Sequence, residues 1–244
     1  MIIEALRHHD RVSVQDLATQ AGTSEMTIRR DLDHLEARGV LRRVRGGAVS
    51  LFLRGEEPPF AMREMDAVEA KQRIAQEVGL LIAEGEAVIV DSGTTGLEIA
   101  RTLAGRHLTV MPLSLHAAMA LSASPRTKVI QPGGELRSGE LATVGPLAES
   151  SIRALRFDTA IITCCGVSPT FGLTSHDLAD AAVKRTAIEA AQRVVVAADS
   201  SKFAKTALAS VCPPEGIDVV VTDIDAPADA VAALEAAGIE VRLV

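Results

Sequence analysis

EMTIRRDLDHL, residues 25–35, places two adjacent arginines in a chain of 244 residues whose formal charge is −7. At 100° per residue Ile28, Leu32 and Leu35 fall on one stripe of a helix and can bury. Arg30 and Met26 point away from that stripe, flanked by Arg29, Thr27 and Asp33. One face is pinned and the other displays cations. An ordinary solvated amphipathic face reads the same way, so the neighbouring segments decide.

On the N-terminal side SVQDLATQAG, residues 13–22, predicts another helix. Ser13 is a good N-cap with Asp16 as its capping-box partner. Val14, Leu17, Ala18 and Ala21 form its apolar stripe, and Gly22 stops it. Thr23 and Ser24 restart the chain, with Ser24 capping a helix that ends at Gly39. Before both, Ile2, Ile3 and Leu6 suggest a first helix beginning almost at Met1. Two short helices about a tight glycine turn make a helix-turn-helix, and small Ala18 and Ala21 let them approach closely. On the C-terminal side VLRRVRGGAV, residues 40–49, predicts a β-hairpin wing. Val40, Leu41 and Val44 are strand formers and Gly46-Gly47 is a turn pair.

Charge points the same way. Residues 1–50 hold eight Arg and seven Asp or Glu, a net of +1, whereas the other 194 hold 17 basic and 25 acidic residues, a net of −8. Residues 38–45 contain four Arg and no acid. Such a local asymmetry is an electrostatic footprint for nucleic acid. The helix over 25–35 is expected to enter the major groove with its N-terminal half forward. Ser24, Thr27, Arg29 and Arg30 then face phosphates or base edges, and Arg42, Arg43 and Arg45 grip backbone from the wing. A three-helix oligomerisation module with a solvated basic face is the alternative, disfavoured by cap, turn, stripe and wing occurring together.

Residues 50–62, with Pro58-Pro59 and Gly55, predict an irregular linker. The expected organisation is a winged head over 1–50, a linker over 51–65 and an α/β domain over 66–244. A helix is expected from Asp66 to Glu84. Strands follow at 86–90, 108–111, 128–131, 159–163, 194–198, 218–222 and 239–243. Helices are expected around 96–104, 114–122, 144–154, 178–192 and 227–237. That alternation specifies a mostly parallel, doubly wound sheet. Ligands in such sheets sit beyond the carboxyl ends of strands. Asp91, Gly133-Gly134, Cys164-Cys165-Gly166, Asp199 and Asp223 all fall there.

DSGTTG, residues 91–96, joins a strand to a helix through glycines and hydroxyls. Backbone N–H groups from Ser92 to Thr95, with the helix's positive end, suit a phosphate. The competing reading is a plain capped helix start, with Thr95 and Glu98 as a capping box. DSSKF, residues 199–203, sets Lys202 in another strand-end loop, where a solvated charge competes with an anion ligand. DSGTTG is neither a dinucleotide-binding nor an ATPase loop, and no cofactor is expected.

At 48% hydrophobic but 2% aromatic, with no Trp or Tyr, the core must be aliphatic. No apolar run is long enough for a membrane span and no signal peptide is evident, so a cytoplasmic protein is expected. Cys164, Cys165 and Cys212 suit reduced thiols rather than a disulfide framework. The six His, including the His8-His9 pair, form no ligand-spaced set with cysteines, so no metal site is expected.

The run VSVQDLATQAGTSEMTIRRDLDHLEARGVLRRVRGGAV resembles the signature of the DeoR family of bacterial transcriptional regulators. DSGTTGLEIARTL, GGELRSGELATVGPLAE, GLTSHDLADAAVKRTAIEAA and VVVAADSSKF resemble its sensor domain. The resemblance implies a winged helix-turn-helix that reads operator DNA, and a sensor fold related to ribose-5-phosphate isomerase and CoA-transferases. It implies a phosphorylated sugar or related metabolite as effector, held by Asp91, Ser92, Gly93, Thr94 and Thr95, with Lys184, Asp199 and Lys202 lining the same pocket. Family members usually begin several residues earlier, so this chain is expected to start late. They also carry Thr and Asn where this chain has Pro112 and Leu113, removing two polar groups from a strand end. The expected protein is a repressor of a carbohydrate operon and a homo-oligomer, dimer or tetramer. Its rivals are a sugar-phosphate isomerase with an appended head, and an oligomeric regulator with a vestigial pocket.

Overall fold

A computed structural model describes residues 1, 2, 5, 6, 11–37, 39–50 and 58–244. The chain forms two compact units, residues 1–66 and 67–244.

In the first unit Ser13 caps α1 (Val14–Ala21). Its hydroxyl accepts the Asp16 N–H at 3.0 Å and donates to Asp16 Oδ2 at 2.7 Å. Gly22 ends α1 in the left-handed region, with φ 60°. The next helix, α2 (Glu25–Ala37), buries Ile28, Leu32 and Leu35 and leaves Met26 exposed. These residues pack with Ile2, Leu6, Leu17 and Leu41 in one core. Ala18 is buried, but Ala21, expected on the same stripe, is exposed, because the helix ends there. At the N-terminus Ile2 and Leu6 are buried and the Ala5 N–H donates to the Met1 carbonyl at 2.9 Å. Ile3, the His8-His9 pair, Arg38 and linker residues 51–57 lie outside the described residues.

The wing pairs β2 (Leu41–Val44) antiparallel with β3 (Gly47–Ser50), Val44 opposite Gly47. Its turn is therefore Arg45-Gly46, not Gly46-Gly47, and Gly46 takes φ +78°. Gly47 is glycine for a different reason. A third strand, β1 (Arg11–Ser13), pairs with β3, and a Cβ on Gly47 would lie 2.0 Å from the Val12 carbonyl oxygen. Within the expected linker, α3 (Phe60–Glu64) forms a short helix whose Met62 is fully buried in the same core.

The second unit opens with α4 (Val68–Leu81) and is built on a parallel sheet of seven strands. These are β4 (Ala87–Val90), β5 (Thr109–Pro112), β6 (Lys128–Val129), β9 (Phe157–Ile162), β12 (Ala191–Ala197), β14 (Val219–Thr222) and β15 (Glu240–Leu243). Side chains alternate faces along a strand. Val88 and Val90 accordingly join one core with Ile74, Val78, Ile99 and Leu103, while Ile89 joins another with Ile152, Val183, Ala187 and Leu234. Helices thus cover both faces: α4, α5 (Gly93–Leu103) and α6 (Leu115–Leu121) on one, α7 (Pro146–Arg153), α8 (Leu178–Glu189) and α9 (Ala228–Ala236) on the other. Strands buried on both sides read as continuous aliphatic runs such as AVIV and RVVVA.

Strand order is β15-β14-β12-β9-β4-β5-β6. From β4 the chain winds outward through β5 to β6, then returns past β4 to β9 and winds the other way. The switch lies between β4 and β9, where doubly wound sheets open a crevice at their carboxyl ends. Two antiparallel additions were not expected from sequence. One is a hairpin of β7 (Glu135–Arg137) and β8 (Ala142–Val144). The other is a small sheet of β10 (Gly166–Ser168), β11 (Gly172–Ser175) and β13 (Ala209–Cys212).

Candidate functional site

Register across the switch sets Val90 beside Ile161, so the residues that follow, Asp91 after β4 and Thr163 after β9, emerge together. Asp91 is 1% exposed and fully engaged. Its Oδ1 accepts the Ser92 N–H at 2.7 Å, and its Oδ2 accepts the Thr163 N–H at 2.8 Å and hydroxyl at 3.0 Å. Lys184, one of the least probable ligands by sequence because it sits mid-helix on α8, donates to the same Oδ2. Its Nζ also donates to the Thr163 carbonyl at 3.1 Å and lies 3.4 Å from Asp180 Oδ2. Asp180 in turn accepts from Ser175 Oγ at 2.8 Å and approaches Ser92 Oγ at 3.5 Å. Sequence reasoning did not select Asp180, Thr163 or Ser175 as ligands. Asp180 and Lys184 lie four apart on one helix face, a signal that could have linked them.

Burial sets the electrostatics of this cluster. Burial disfavours the Lys184 ammonium, but Asp180 and Asp91 outweigh it and hold its pKa above the ordinary lysine value. Burial likewise works against the Asp180 carboxylate, yet Lys184 and Arg137, with the Ser175 hydroxyl, bring it below the ordinary value. At Asp91 burial prevails over the pull of Lys184 and raises the carboxyl. One ammonium therefore serves two carboxylates that are not equivalent.

Directly above Asp91, α5 begins at Gly93. No side chain caps it, and the N–H groups of Gly93, Thr94 and Thr95 make no hydrogen bond with another described residue. The buried Thr94 and Thr95 side chains are likewise without such partners. The capping box of Thr95 with Glu98 does not form, because Thr95 lies inside the first turn and Glu98 pairs with Arg101. The Gly96 Cα is packed tightly: a Cβ there would lie 2.2 Å from the Asp91 carbonyl oxygen.

Next to β9 in the sheet, β12 ends at Ala197, and Asp199 follows two residues later, its Oδ1 accepting the Ser201 N–H at 3.1 Å. The following short 3-10 turn, Ser200–Lys202, is also held by Asp223, whose Oδ2 accepts the Ser200 N–H at 2.7 Å. Burial pushes the Cys164 thiol up to about 12, while Lys202 and Lys184 pull it down and Asp199 pushes it up. Cys164, buried just beyond the end of β9, is therefore an inert thiol. Cys165 and Cys212 are also buried, and neither is in a disulfide among the described residues. On the other flank Leu113 is 1% exposed and packs in the core, so the end of β5 offers no polar side chain at 112 or 113.

In the head, Ser24 accepts the Thr27 N–H at 3.2 Å and lies 3.0 Å from the Thr27 hydroxyl, so both serve the start of α2. Arg29 pairs with Glu25 at 2.7 Å, one turn earlier on the helix. Arg30, Arg42 and Arg45 are exposed. Arg43 differs from the expectation of a free phosphate contact. Its guanidinium pairs with Asp33 and donates to the Arg29 carbonyl at 3.0 Å, and its N–H donates to Glu36 at 2.6 Å. It ties the wing to α2.

A model of the DeoR-like helix-turn-helix domain matches residues 1–52, and a model of the DeoR C-terminal sensor domain matches residues 66–224. The HTH-type transcriptional regulator GlpR of Haloferax volcanii is 33% identical over 98% of this chain and 94% of its own. A putative aga operon transcriptional repressor of Escherichia coli O157:H7 is 34% identical over 100% of this chain and 91% of its own. The glycerol-3-phosphate regulon repressor of Escherichia coli K12 is 30% identical over 93% of this chain and 90% of its own.

Proposed function

The chain belongs to the DeoR family of transcriptional regulators, a DNA-binding regulator and not an enzyme, and on that premise we propose how it is controlled. It represses an operon of carbohydrate metabolism in the cytoplasm, and a phosphorylated sugar or related metabolite sets its affinity for the operator. Relatives named as repressors of the aga operon and of a glycerol-3-phosphate regulon support that reading. So does one feature above all: the α5 terminus at the switch point, where three N–H groups and two threonine side chains have no partner among the described residues. The helix's positive end and these donors suit a phosphate. Asp91 and Lys184 shape the floor beneath it, and Lys202 and Asp199 border it.

The head supplies the DNA contacts. Arg30 reaches base edges, with Ser24, Thr27 and Arg29 nearby. Arg42 and Arg45 contact phosphates, and Arg43 holds the wing in place. Two copies of the chain or more present paired heads to a symmetric operator. The ligand shifts the balance between binding-competent and incompetent arrangements, which requires different affinities for the two.

A thermal-shift screen against triose, pentose and hexose phosphates tests the effector assignment. One phosphorylated compound should raise the melting temperature through selective binding to the folded state, and its unphosphorylated parent far less. Thr94→Asp sets a negative charge at the terminus and should abolish the shift. Ligand affinity unchanged in the Thr94→Asp protein would remove the phosphate from this position. A screen with no response at all would favour a regulator whose pocket is vestigial.

A further inference from the structure

The β7–β8 hairpin lies beside the switch point. The Thr143 N–H of β8 donates to the Leu113 carbonyl at 2.8 Å, and the Leu141 carbonyl accepts the Leu115 N–H at 3.0 Å. Both bonds fasten the hairpin over the end of β5, the strand next to β4. Leu141 takes φ +50° to make its contact, an uncommon conformation for a residue with a side chain.

From β7, Arg137 reaches α8. Its guanidinium lies 3.9 Å from Asp177 Oδ2. Asp177 Oδ1 caps α8 by accepting the Asp180 N–H at 2.8 Å, and Asp180 Oδ1 is 3.5 Å from Ser92 Oγ. A chain of short links therefore runs from Arg137 to the start of α5. Along it stand the carboxylates of Asp177, Asp180 and Asp91, against the ammonium of Lys184. With Arg137 the sum is −1; without it, −2. An anion at the α5 terminus meets this charge at close range in a poorly solvated setting.

We infer that Arg137 is a positioning residue of the effector site, offsetting Asp177 and Asp180 so that the α5 N-terminus can hold an anion. This rests on reading that terminus as an anion site. One unit charge about 10 Å away, at an effective dielectric near 20, changes anion affinity on the order of tenfold.

Inorganic phosphate is the probe, titrated calorimetrically into the full-length protein and its variants at low ionic strength. Arg137→Gln should weaken phosphate binding on the order of tenfold, and Arg137→Lys should keep most of it. The decisive variant is the double Arg137→Gln/Asp177→Asn. Asparagine caps a helix as well as aspartate does, so α8 keeps its start while one carboxylate charge disappears. Affinity should return towards wild type. A fold merely loosened by the loss of Arg137 would not be rescued this way, and neither would a direct arginine–ligand contact; absence of rescue overturns the inference. Wild-type binding retained in full by Arg137→Gln overturns it too, and leaves the anion site standing. No phosphate binding by the wild type overturns the anion site and this inference together.

Discussion

In the head, Arg30, Arg42 and Arg45 stand in solvent on α2 and the wing, while in the sensor domain Lys184 is 3% exposed between two carboxylates. The two arrangements have opposite costs. A solvated arginine loses little when it exchanges counterions for DNA phosphates, and its contribution falls with salt. A buried ammonium persists only where its partners are already in place, and removing it strands them. Arg30, Arg42 and Arg45 are therefore available to an anionic partner and contribute little to the fold, whereas Lys184 is part of the fold.

The largest effect separating the two regions is expected at Lys184. Lys184→Met leaves Asp91 and Asp180 buried without their cation and should cost about 3–5 kcal/mol in the sensor domain. The loss should shrink at acid pH. Burial raises the Asp91 carboxyl in the folded state, so the folded protein takes up a proton that the unfolded chain does not hold. As pH falls through the raised value, towards the ordinary carboxylate value of 3.8, the penalty on the charged form is relieved. Denaturant titrations at pH 5 and pH 8 measure the difference; an equal loss at both would mean that Asp91 does not carry the stranded charge.

Leu32→Ala probes the head through its core rather than its charge. Leu32 is 0% exposed, and truncation should cost about 2–5 kcal/mol. In a unit as small as residues 1–66 that is most of the available stability. DNA binding should disappear while the ligand-induced thermal shift of the sensor domain survives. Loss of both would show that the two units do not fold independently.

Much of this division was legible in the sequence. The stripe of Ile28, Leu32 and Leu35 fixed which face of α2 is buried, and the aliphatic runs located all seven parallel strands. The additions escaped notice for physical reasons. Strand β1 is three residues long and merges into the Ser13 cap, so it shows no alternation of its own. Both β10 and β11 contain glycine and hydroxyl residues that also read as loop. At the candidate site Asp91 and the glycines announced themselves by following a strand. Thr163 and Ser175 became visible only when strand order brought β9, β11 and α8 to one place. Arg43 misled because an arginine among arginines in a wing looks solvated, and nothing local in the sequence shows that Asp33 and Glu36 reach it.

Smaller effects refine the head. Arg30→Ala should cost on the order of 1–3 kcal/mol on the cognate operator if its side chain is bidentate to guanine, and less on unrelated DNA. Equal losses at fixed salt would reject base reading. Arg43→Ala removes a partly exposed tether and should lower head stability by about 0.2–1 kcal/mol, with an unchanged salt slope of DNA binding. A slope smaller by about one would return Arg43 to the phosphate contacts. Glu25→Ala breaks the exposed pair with Arg29 and should alter stability by no more than about 0.5 kcal/mol. Operator affinity should rise slightly, since Arg29 is released and a negative charge near DNA is lost.

Ligand binding in the sensor domain is expected to govern DNA binding by the exposed arginines of the head. Operator affinity of the full-length protein, titrated at fixed salt with and without the phosphorylated compound found in the thermal screen, tests it most directly. A change of about 5- to 150-fold is expected, as is typical of linked sites. It should vanish in Thr94→Asp, while that variant still binds operator without ligand. Operator affinity that is the same with and without saturating ligand would show that the two domains are not linked, whatever the ligand does to the melting temperature.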